Sequence, residues 1–474
     1  MKYQSTRNRA LTASPAAAVL RGIAPDGGLY MPEAIPVLNW QSLLEADTLT
    51  LSARILSALL PDYPDMDGLV RRGYAGKFET EELTPLVKVG DRYVLELFRG
   101  PTSAFKDVAL SLLPQLISQA RTLENIRDEM LILTATSGDT GKAALEGFHD
   151  VPGTKIIVFY PYGGVSAVQQ AQMVTQEGAN VKVCAVRGNF DDTQTGVKQI
   201  FASCDEKDLP GLRLSSANSI NIGRLAPQIV YYFKAYADLV RSGRIRVGEP
   251  VHFCVPTGNF GDILAGYFAK RMGLPVGRLI CASNRNDVLT DFLSTGVYDK
   301  RRTFYKTTSP SMDILVSSNL ERLLFLLAED GAPEVAGYMK DLKEQGIYRV
   351  KPGLLARLQE EFACGCCDDA ETERTIGRVW REQHYLMDTH TAVARTVAEE
   401  YRKTRGSGAP VVVLSTASPY KFPAAVLRAV GGDASGEEFD LMRRLHDLTE
   451  VPVPPALAAL EEKPVRHRDC IARD

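Results

Sequence analysis

Residues 100–107 read Gly-Pro-Thr-Ser-Ala-Phe-Lys-Asp and are the most informative stretch of this 474-residue chain. They place one lysine, Lys106, between a tight turn and a helix-like apolar run at Val108, Leu112 and Leu116. A lysine on an exposed helix is a solvated ammonium, whereas one in a partly desolvated pocket loses its proton easily and can form a Schiff base with a carbonyl compound. Since most single lysines are surface residues, the rest of the chain has to decide between these interpretations.

Strand-length apolar runs alternate with longer segments of helical periodicity after about residue 80. This alternation is typical of parallel sheets covered by crossover helices, so the sequence predicts an α/β fold. The predicted strands are Leu131–Thr136, Lys155–Tyr160, Val181–Val186, Val251–Val255, Arg278–Ala282 and Val411–Ser415. Ligands of such sheets bind beyond the carboxyl ends of the strands, so the turns there are where we expect chemistry.

Length and charge exclude several classes of function. At 474 residues the chain exceeds what a single core holds, so two or three domains are expected. Lysine and arginine total 55 against 58 aspartates and glutamates, with no long run of either sign, so we expect no nucleic-acid partner. No apolar run approaches the ~20 residues that span a bilayer, and Pro15 and nearby arginines interrupt any signal peptide, so we expect no membrane partner.

The eight cysteines are too dilute for a disulfide scaffold, and Cys184, Cys254 and Cys281 stand in apolar strand-like runs where a thiol behaves as a small hydrophobe. We therefore expect a reducing compartment, the cytoplasm. The cluster Cys364–Cys367 could suggest a metal, but zinc sites need four ligands in paired spacing. The simpler interpretation is an exposed turn before a helix, and we expect no metal.

The chain is predicted to divide into three parts. Residues 1–80 lack the strand–helix rhythm and are predicted to form a mainly helical N-terminal domain. Residues 81–225 and residues 226–474 are predicted to form two further α/β domains. Within the last part, the leucines between Asn319 and Ala328 form an apolar stripe that predicts a helix packed on the core.

The turn Thr257–Asp262 follows the strand Val251–Val255 and opens a helix whose apolar positions lie on one face. The candidate residues in it are Gly258, Asn259, Phe260, Gly261 and Asp262. Glycines let backbone N–H groups approach an oxyanion closely, and a helix N-terminus adds about half a positive charge, so the turn is a candidate anion site. Many strand-to-helix turns carry glycine for geometry alone, and that alternative stays open.

Three further segments stand at strand ends or helix starts. In the turn Thr136–Gly141, the hydroxyls and successive backbone donors could cradle a carboxylate, although an ordinary helix N-cap explains the same residues. The cluster Ser215–Arg224 has more neutral donors beside an arginine than a cap requires. Ser415 and Thr416 close the strand Val411–Ser415. His390 begins a helix, which is more often a structural position than a catalytic one, and the histidines give no triad.

The segments around Lys106, Asp139 and Asn259, taken together and in this order, resemble the threonine synthases, which are pyridoxal-phosphate enzymes of fold type II. Ala24–Tyr30 resembles the signature near the start of the longer class of this family, which has an N-terminal extension. The resemblance implies a tryptophan synthase β-like fold with two open, mainly parallel sheets and flanking helices. It also implies that residues 81–225 carry the cofactor lysine and a smaller mobile subdomain that closes over the substrate.

The resemblance implies roles for single residues as well. Lys106 would form a Schiff base with pyridoxal 5'-phosphate and, once released, would act as a base. Gly258–Gly261 would hold the 5'-phosphate, with Asp262 at the helix start, and Thr416 would bond the pyridine nitrogen. Thr136–Thr140 would grip the α-carboxylate of the substrate; the residues concerned are Thr136, Ser137, Gly138, Asp139 and Thr140. The residues matched to the substrate phosphate are Lys142, Ser216, Asn218, Asn221 and Arg224.

The chain departs from the family pattern in two places. Asp139 stands where many fold type II members have an asparagine that contacts the cofactor's 3'-oxygen, although an aspartate agrees with the longer class. After Thr416, family members commonly show His and Ala where this chain has Ser418 and Tyr420. A role for that histidine therefore does not carry over.

The activity implied by the resemblance is a lyase reaction that converts O-phospho-L-homoserine and water into L-threonine and phosphate, the last step of threonine biosynthesis, in a monomer or homodimer. Three alternatives stay open: a serine or threonine dehydratase, a phospholyase that forms 2-oxobutyrate from the same substrate, and a non-catalytic binder of cofactor or phosphate. The residues alone support a lysine candidate, a phosphate cradle and a carboxylate cradle at strand ends.

Overall fold

A computed structural model of the chain describes residues 1–204, 209–406 and 408–473. The strands in these ranges are β1 (Tyr3–Ser5), β2 (Thr12–Ala13), β3 (Tyr30–Pro32), β4 (Leu86–Val89), β5 (Arg92–Glu96), β6 (Glu129–Ala135), β7 (Thr154–Pro161), β8 (Val181–Val186), β9 (Leu212–Ser215), β10 (Val251–Pro256), β11 (Val276–Ser283), β12 (Val297–Asp299), β13 (Ile347–Arg349), β14 (Phe362–Cys366), β15 (Val411–Ser415) and β16 (Asp469–Ile471). The helices are α1 (Pro15–Arg21), α2 (Thr48–Leu59), α3 (Met66–Tyr74), α4 (Lys106–Leu110), α5 (Leu113–Leu123), α6 (Asp139–Phe148), α7 (Ala167–Val174), α8 (Phe190–Ser203), α9 (Ile222–Arg241), α10 (Gly261–Arg271), α11 (Val288–Thr295), α12 (Leu320–Leu327), α13 (Ala332–Glu344), α14 (Pro352–Glu361), α15 (Asp369–Gln383), α16 (Thr389–Arg405), α17 (Pro423–Ala429), α18 (Glu438–Thr449) and α19 (Pro455–Ala458).

Two open sheets organise the molecule. The larger has the order β14-β11-β10-β15-β5-β4 and is parallel except for β4, which runs antiparallel to β5. The smaller has the order β16-β8-β7-β6-β9, and all its pairs are parallel. All six predicted strands are present, three in each sheet, so the predicted α/β fold with mainly parallel sheets and flanking helices is confirmed.

The central strands β10 and β15 are buried at every residue, as expected of parallel strands with helices on both faces. Because both strands run in the same direction, their carboxyl ends open at the same edge of the sheet, where Thr257–Phe260 and Thr416 follow them. This edge is where the candidate site residues of the larger sheet lie.

The N-terminal part combines α1, α2 and α3 with a small antiparallel sheet of order β2-β1-β3. The domain ranges 1–80, 81–225 and 226–474 stay a prediction. In both sheets, strands from the second range pair with strands from the third. Strands β4 and β5 belong to the larger sheet, whereas β16, near the other end of the chain, pairs with β8 in the smaller one.

The interpretation of Cys364–Cys367 as an exposed turn is wrong. Cys364 and Cys366 lie in β14, which pairs with β11 at the edge of the larger sheet, and Cys367 is buried. Small side chains suit this strand, because Cys364 contacts α11 and a Cβ on Gly365 would meet Val397 of α16, a role that the spacing of the cysteines does not signal. All eight cysteines are free thiols.

Within residues 1–204, 209–406 and 408–473, no group of three His, Cys, Asp or Glu side chains is arranged to hold a metal ion. Over the same ranges, no helix is long and apolar enough to cross a bilayer.

Candidate active site

Lys106 is the first residue of α4, and its side chain is buried, with the residue only 8% exposed. Its Nζ lies 3.5 Å from Asp139 Oδ2 and 3.4 Å from Ser311 Oγ. The amine also lies over the ring of Phe105, 4.9 Å from the centroid. Lys106 is therefore the enclosed lysine that the sequence interpretation required, and not a solvated surface residue.

The turn before Lys106 is built by close contacts. A Cβ on Gly100 would lie 2.5 Å from Asp107, so only glycine fits there while Asp107 keeps its place. Asp107 accepts a hydrogen bond of 2.8 Å from the backbone N–H of Thr102. The turn is also joined to the segment after β15, since the Phe105 N–H donates to the Thr416 carbonyl at 2.8 Å. These contacts bring Thr416, whose role toward the cofactor stays a prediction, next to Lys106.

The surroundings of Lys106 weaken its ordinary preference for the charged form. Burial lowers the pKa of Lys106 below its ordinary value, because desolvation disfavours the ammonium. The carboxylate of Asp139 opposes this effect, and the positive charges of Lys421 and Arg224 reinforce it. A lysine whose proton is lost more readily is suited to nucleophilic and general-base chemistry.

Asp139 is held between two amines. Its Oδ1 lies 2.7 Å from Lys421 Nζ and accepts a hydrogen bond of 2.9 Å from Gln169 Nε2, while Oδ2 faces Lys106. Burial alone raises the pKa of Asp139, but Lys421 and Lys106 outweigh it and keep the pKa well below its ordinary range. Asp139 is therefore a carboxylate in the folded protein.

The turn after β10 has the form of an anion cradle. Phe260 has a left-handed backbone, with φ 63°, and α10 begins at the next residue, so backbone N–H groups converge at a helix N-terminus. A Cβ on Gly258 would lie 2.7 Å from the carbonyl oxygen of Ser311. Ser311 thus touches both this turn and Lys106, and places the two on one site.

Asp262 stands in the first turn of α10, but its carboxylate is turned toward helix α9. Its Oδ1 accepts hydrogen bonds from the hydroxyls of Tyr231 and Tyr232, at 2.5 and 2.8 Å. Burial raises the pKa of Asp262 to about 6. The contacts of this side chain therefore anchor α10 on α9, and only its backbone belongs to the cradle.

Part of the hydrogen-bonding capacity of the turn Thr136–Thr140 is already used by bonds to neighbouring backbone groups. The Thr136 hydroxyl accepts from the N–H groups of Gly138 and Gly141 at 3.0 and 2.9 Å and donates to the Gly138 carbonyl. Gly138 has φ 140°, and a Cβ there would collide with Gln169. Ser137 is exposed and Thr140 is half-buried. The contribution of these two hydroxyls to a carboxylate cradle stays a prediction.

The cluster Ser215–Arg224 is partly a helix cap. Asn221 is the N-cap of α9: it accepts from the Gly223 N–H at 2.9 Å and donates to the Val19 carbonyl at 2.8 Å. Arg224 is buried and donates to the Ala217 carbonyl, and burial lowers its pKa to about 10. The positive charge of Arg224 lowers the pKa of Lys106, and the role of Arg224 toward the substrate phosphate stays a prediction.

The remaining residues predicted to bind the substrate phosphate are Ser216, Asn218 and Lys142. Ser216 and Asn218 are half-buried and bonded to each other through the Asn218 N–H, at 3.2 Å from Ser216 Oγ. Lys142 Nζ contacts Glu146 Oε2, at 2.9 Å, and Gln176 Oε1. Lys142 therefore reaches a phosphate only if it leaves these partners, and its role stays a prediction.

Sequence reasoning missed two groups of this site, Ser311 and Lys421, and it interpreted His390, which pairs with Asp388, as a structural residue. His390 Nε2 accepts the N–H of Ser311 at 3.1 Å, so its Nδ1 carries the proton donated to Asp388 Oδ2 at 2.7 Å. His390 thereby fixes the segment that carries Ser311. The one signal for Lys421 was its place five residues after Thr416; Ser311 had none.

The arrangement fits a pyridoxal-phosphate group, because an enclosed amine and a helix N-terminus share one site in which a Cβ on Gly258 has no room. Fold and site are those of the pyridoxal-phosphate-dependent enzyme family. In agreement, the family model described as "Pyridoxal-phosphate dependent enzyme" matches residues 78–341. Residues 2–88 and 391–473 match the models described as "Threonine synthase N terminus" and "Threonine synthase, C-terminal".

The chain belongs to the threonine synthase family. It is 41% identical over 447 residues to the threonine synthase of Pseudomonas aeruginosa, covering 92% of this chain and 91% of that protein. It is also similar to solved structures of the PLP-bound threonine synthase of Brucella melitensis (TM-score 0.89, 39% identity, 100% of this chain and 97% of that one) and of yeast threonine synthase (TM-score 0.89, 34% identity, 100% and 96%).

The relatives include longer proteins. Human threonine synthase-like 1 is 39% identical over 432 residues, which cover 87% of this chain. The chain spans 57% of the length of that relative.

Proposed function

We propose that this chain is a threonine synthase, which converts O-phospho-L-homoserine and water into L-threonine and phosphate with pyridoxal 5'-phosphate as cofactor. The observation that carries the proposal is the Lys106 amine, enclosed within 3.5 Å of Asp139 and within 3.4 Å of Ser311, which also touches the glycine-bearing turn. Membership of the threonine synthase family supports the choice of reaction.

The residues proposed to hold the cofactor are Lys106, Gly258, Asn259, Phe260, Gly261 and Thr416, with Asp262 acting through its backbone. Bound there, pyridoxal phosphate supplies an electron sink that makes hydrogens on the carbons near the substrate amine removable as protons. The turn after β10 would hold the 5'-phosphate with the backbone N–H groups at the start of α10. Lys106 is the group that takes and returns these protons at its Nζ, because its ordinary preference for the charged form is weakened.

On the substrate side, we propose that Thr136–Thr140 binds the α-carboxylate, with Ser137 and Thr140 as the hydroxyl donors. The leaving phosphate is assigned to Arg224 with Ser216 and Asn218, because charge-assisted hydrogen bonds suit a dianion. Lys142 and Asn221 are engaged by Glu146 and by the backbone near Val19, and they serve the phosphate only in a closed form of the site.

We also propose the wider setting of the reaction. The ranges 1–80, 81–225 and 226–474 form three domains, and the smaller sheet moves over the substrate to control access of water. The protein acts in the cytoplasm as a monomer or homodimer, and its eight free thiols support a reducing compartment.

The test is an assay of the purified full chain, loaded with cofactor, on O-phospho-L-homoserine. Released phosphate is followed while the organic product is identified by mass spectrometry. Threonine in equal amount with phosphate is expected. Phosphate with 2-oxobutyrate would make the protein a phospholyase, deamination of serine or threonine without use of phosphohomoserine would make it a dehydratase, and cofactor binding without turnover would make it a binder.

A further inference from the structure

Lys421 is a second buried amine at the site, and the reaction proposed above gives it no role. It ends the short 3-10 turn Pro419–Lys421 that follows β15, and it is 0% exposed. Its Nζ lies 2.7 Å from Asp139 Oδ1 and donates to the carbonyl of Thr102 at 3.1 Å. A fully buried ammonium is costly without such partners, so its position is a specific feature of the fold.

The local sequence holds Lys421 in this position. The Ser418 N–H donates to the Ser103 carbonyl at 3.1 Å, which ties the turn to the segment that carries Lys106. Ser418 Oγ accepts from the Tyr420 N–H, and the Tyr420 hydroxyl donates to the Val451 carbonyl. The two residues that depart from the family pattern therefore support the backbone that presents Lys421.

The two oxygens of Asp139 are not shared equally between the amines. Lys421 Nζ lies 2.7 Å from one oxygen, at hydrogen-bond distance, whereas Lys106 Nζ lies 3.5 Å from the other, beyond a good charge-assisted hydrogen bond. Lys421 is thus the principal counter-ion of Asp139. The carboxylate stays paired whether or not Lys106 carries a proton.

We propose that Lys421 is the principal counter-ion of Asp139 and a positioning residue that leaves Lys106 free to act as a neutral amine. The inference deepens the proposed function and rests on it, because it concerns the state of the amine that binds the cofactor and moves protons. Lys421 acts by pairing with Asp139 and by its own positive charge near Lys106.

Three charged groups on three elements bear on Lys106: Asp139 from α6, Lys421 from the 3-10 turn, and Arg224 from α9. Asp139 alone would hold Lys106 as an ammonium, since a nearby opposite charge favours the charged form. Lys421 cancels that charge, and Arg224 adds repulsion. The pKa of Lys106 is accordingly lowered, chiefly by burial, in spite of Asp139.

The test reads the protonation of Lys106 without any substrate. The full chain, freed of cofactor, is mixed with pyridoxal 5'-phosphate over a series of pH values, the adduct is fixed by borohydride reduction, and its amount on Lys106 is measured by peptide mass spectrometry. Lys421→Met should move the pH of half-maximal rate upward and slow the reaction at pH 7 by about tenfold or more, since an unopposed neighbouring carboxylate favours the ammonium.

A variant with the opposite expected effect makes the comparison sharper. Asp139→Asn should lower the pH of half-maximal rate. The double variant Lys421→Met/Asp139→Asn should return this pH toward the wild-type value, because the two charges cancel. Lys234→Met is the matched control: Lys234 is also buried, but it pairs with Asp238 at 2.6 Å within α9, so the pH of half-maximal rate should not change.

An unchanged profile in Lys421→Met would overturn the inference, and so would a double variant as displaced as Lys421→Met alone. Failure to form threonine would overturn the proposed function and leave this comparison intact, because no phosphohomoserine is used.

Discussion

Lys106 is the residue on which the proposed reaction depends, because its amine is enclosed beside both Asp139 and the cradle turn. Replacing Lys106 with alanine removes the nucleophile and the base together, so turnover should fall by about a thousandfold or more. Cofactor fixed to the chain by borohydride should also disappear, as measured by mass spectrometry. Lys234→Ala, which removes a buried lysine paired with Asp238, should keep both properties. A Lys106→Ala enzyme with normal turnover would refute the assignment.

Asp262 predicts a pH dependence of stability. Burial raises its pKa from 3.8 to about 6, so between these values the folded state binds more protons than the unfolded chain. Its contribution to stability is therefore fully present below about pH 4 and is lost as pH rises through 6. Asp262→Asn, which keeps the acceptor for Tyr231 and Tyr232, should be more stable relative to wild type at pH 8 than at pH 4, by roughly 2–3 kcal/mol.

Urea unfolding of both proteins at the two pH values measures this difference. Equal stability differences at pH 4 and pH 8 would show that Asp262 titrates normally in the folded protein.

At the residue scale, motif order was enough to select Lys106 and the turn around Asn259, because those residues are contiguous with recognisable turns. The partners of Lys106 could not be selected in that way. Ser311 lies 205 residues further along the chain, and no local pattern relates the two. The same holds for Lys421, whose contact with Asp139 exists only once the end of β15 meets the start of α6.

The anion cradle, formed by the turn after β10 and the start of α10, can be tested with two glycine-to-alanine substitutions. A Cβ on Gly258 would lie 2.7 Å from the Ser311 carbonyl, which is backbone, whereas a Cβ on Gly261 would lie 3.4 Å from the Asn319 side chain. Gly258→Ala should therefore push the turn away from Ser311 and weaken cofactor binding by about tenfold or more. A loss of about 1.4 kcal/mol in binding free energy is enough for a tenfold effect. Gly261→Ala should have a smaller effect.

Fluorescence titration of both variants with pyridoxal 5'-phosphate compares their dissociation constants. A Gly261→Ala protein weakened more than Gly258→Ala would contradict the contact with Ser311.

At the element scale, the six strands predicted from apolar runs are confirmed because they are long and mostly buried, and burial on both faces leaves a continuous apolar run. Three of the strands that the sequence did not reveal lack that signal. β4 and β9 are four-residue strands that are largely half-buried, and β14 contains small residues and cysteines in place of branched apolar side chains. Their positions are set by pairing with neighbours.

At the scale of the whole molecule, composition predicted several domains but not how they join. Strand β16 crosses from the C-terminal part to the edge of the smaller sheet, and Arg466 donates its N–H to the Val174 carbonyl at the end of α7. Helix α7 in turn carries Gln169, which contacts Asp139. The C-terminal part thus contacts the helix that carries a partner of Asp139, which no local periodicity could indicate.

Arg322 joins three parts of the molecule and gives the last prediction. Its guanidinium, 0% exposed, donates to the Tyr30 carbonyl at 3.1 Å, to the Ile220 carbonyl at 2.6 Å and to Asn319 Oδ1 at 2.5 Å. Arg322→Ala leaves these buried acceptors unpaired, so the free energy of unfolding should fall by about 3 kcal/mol or more in urea titrations. Arg374→Ala, which removes an exposed ion pair, should cost less than about 1 kcal/mol. Equal losses would show that the N-terminal part is not fastened through Arg322.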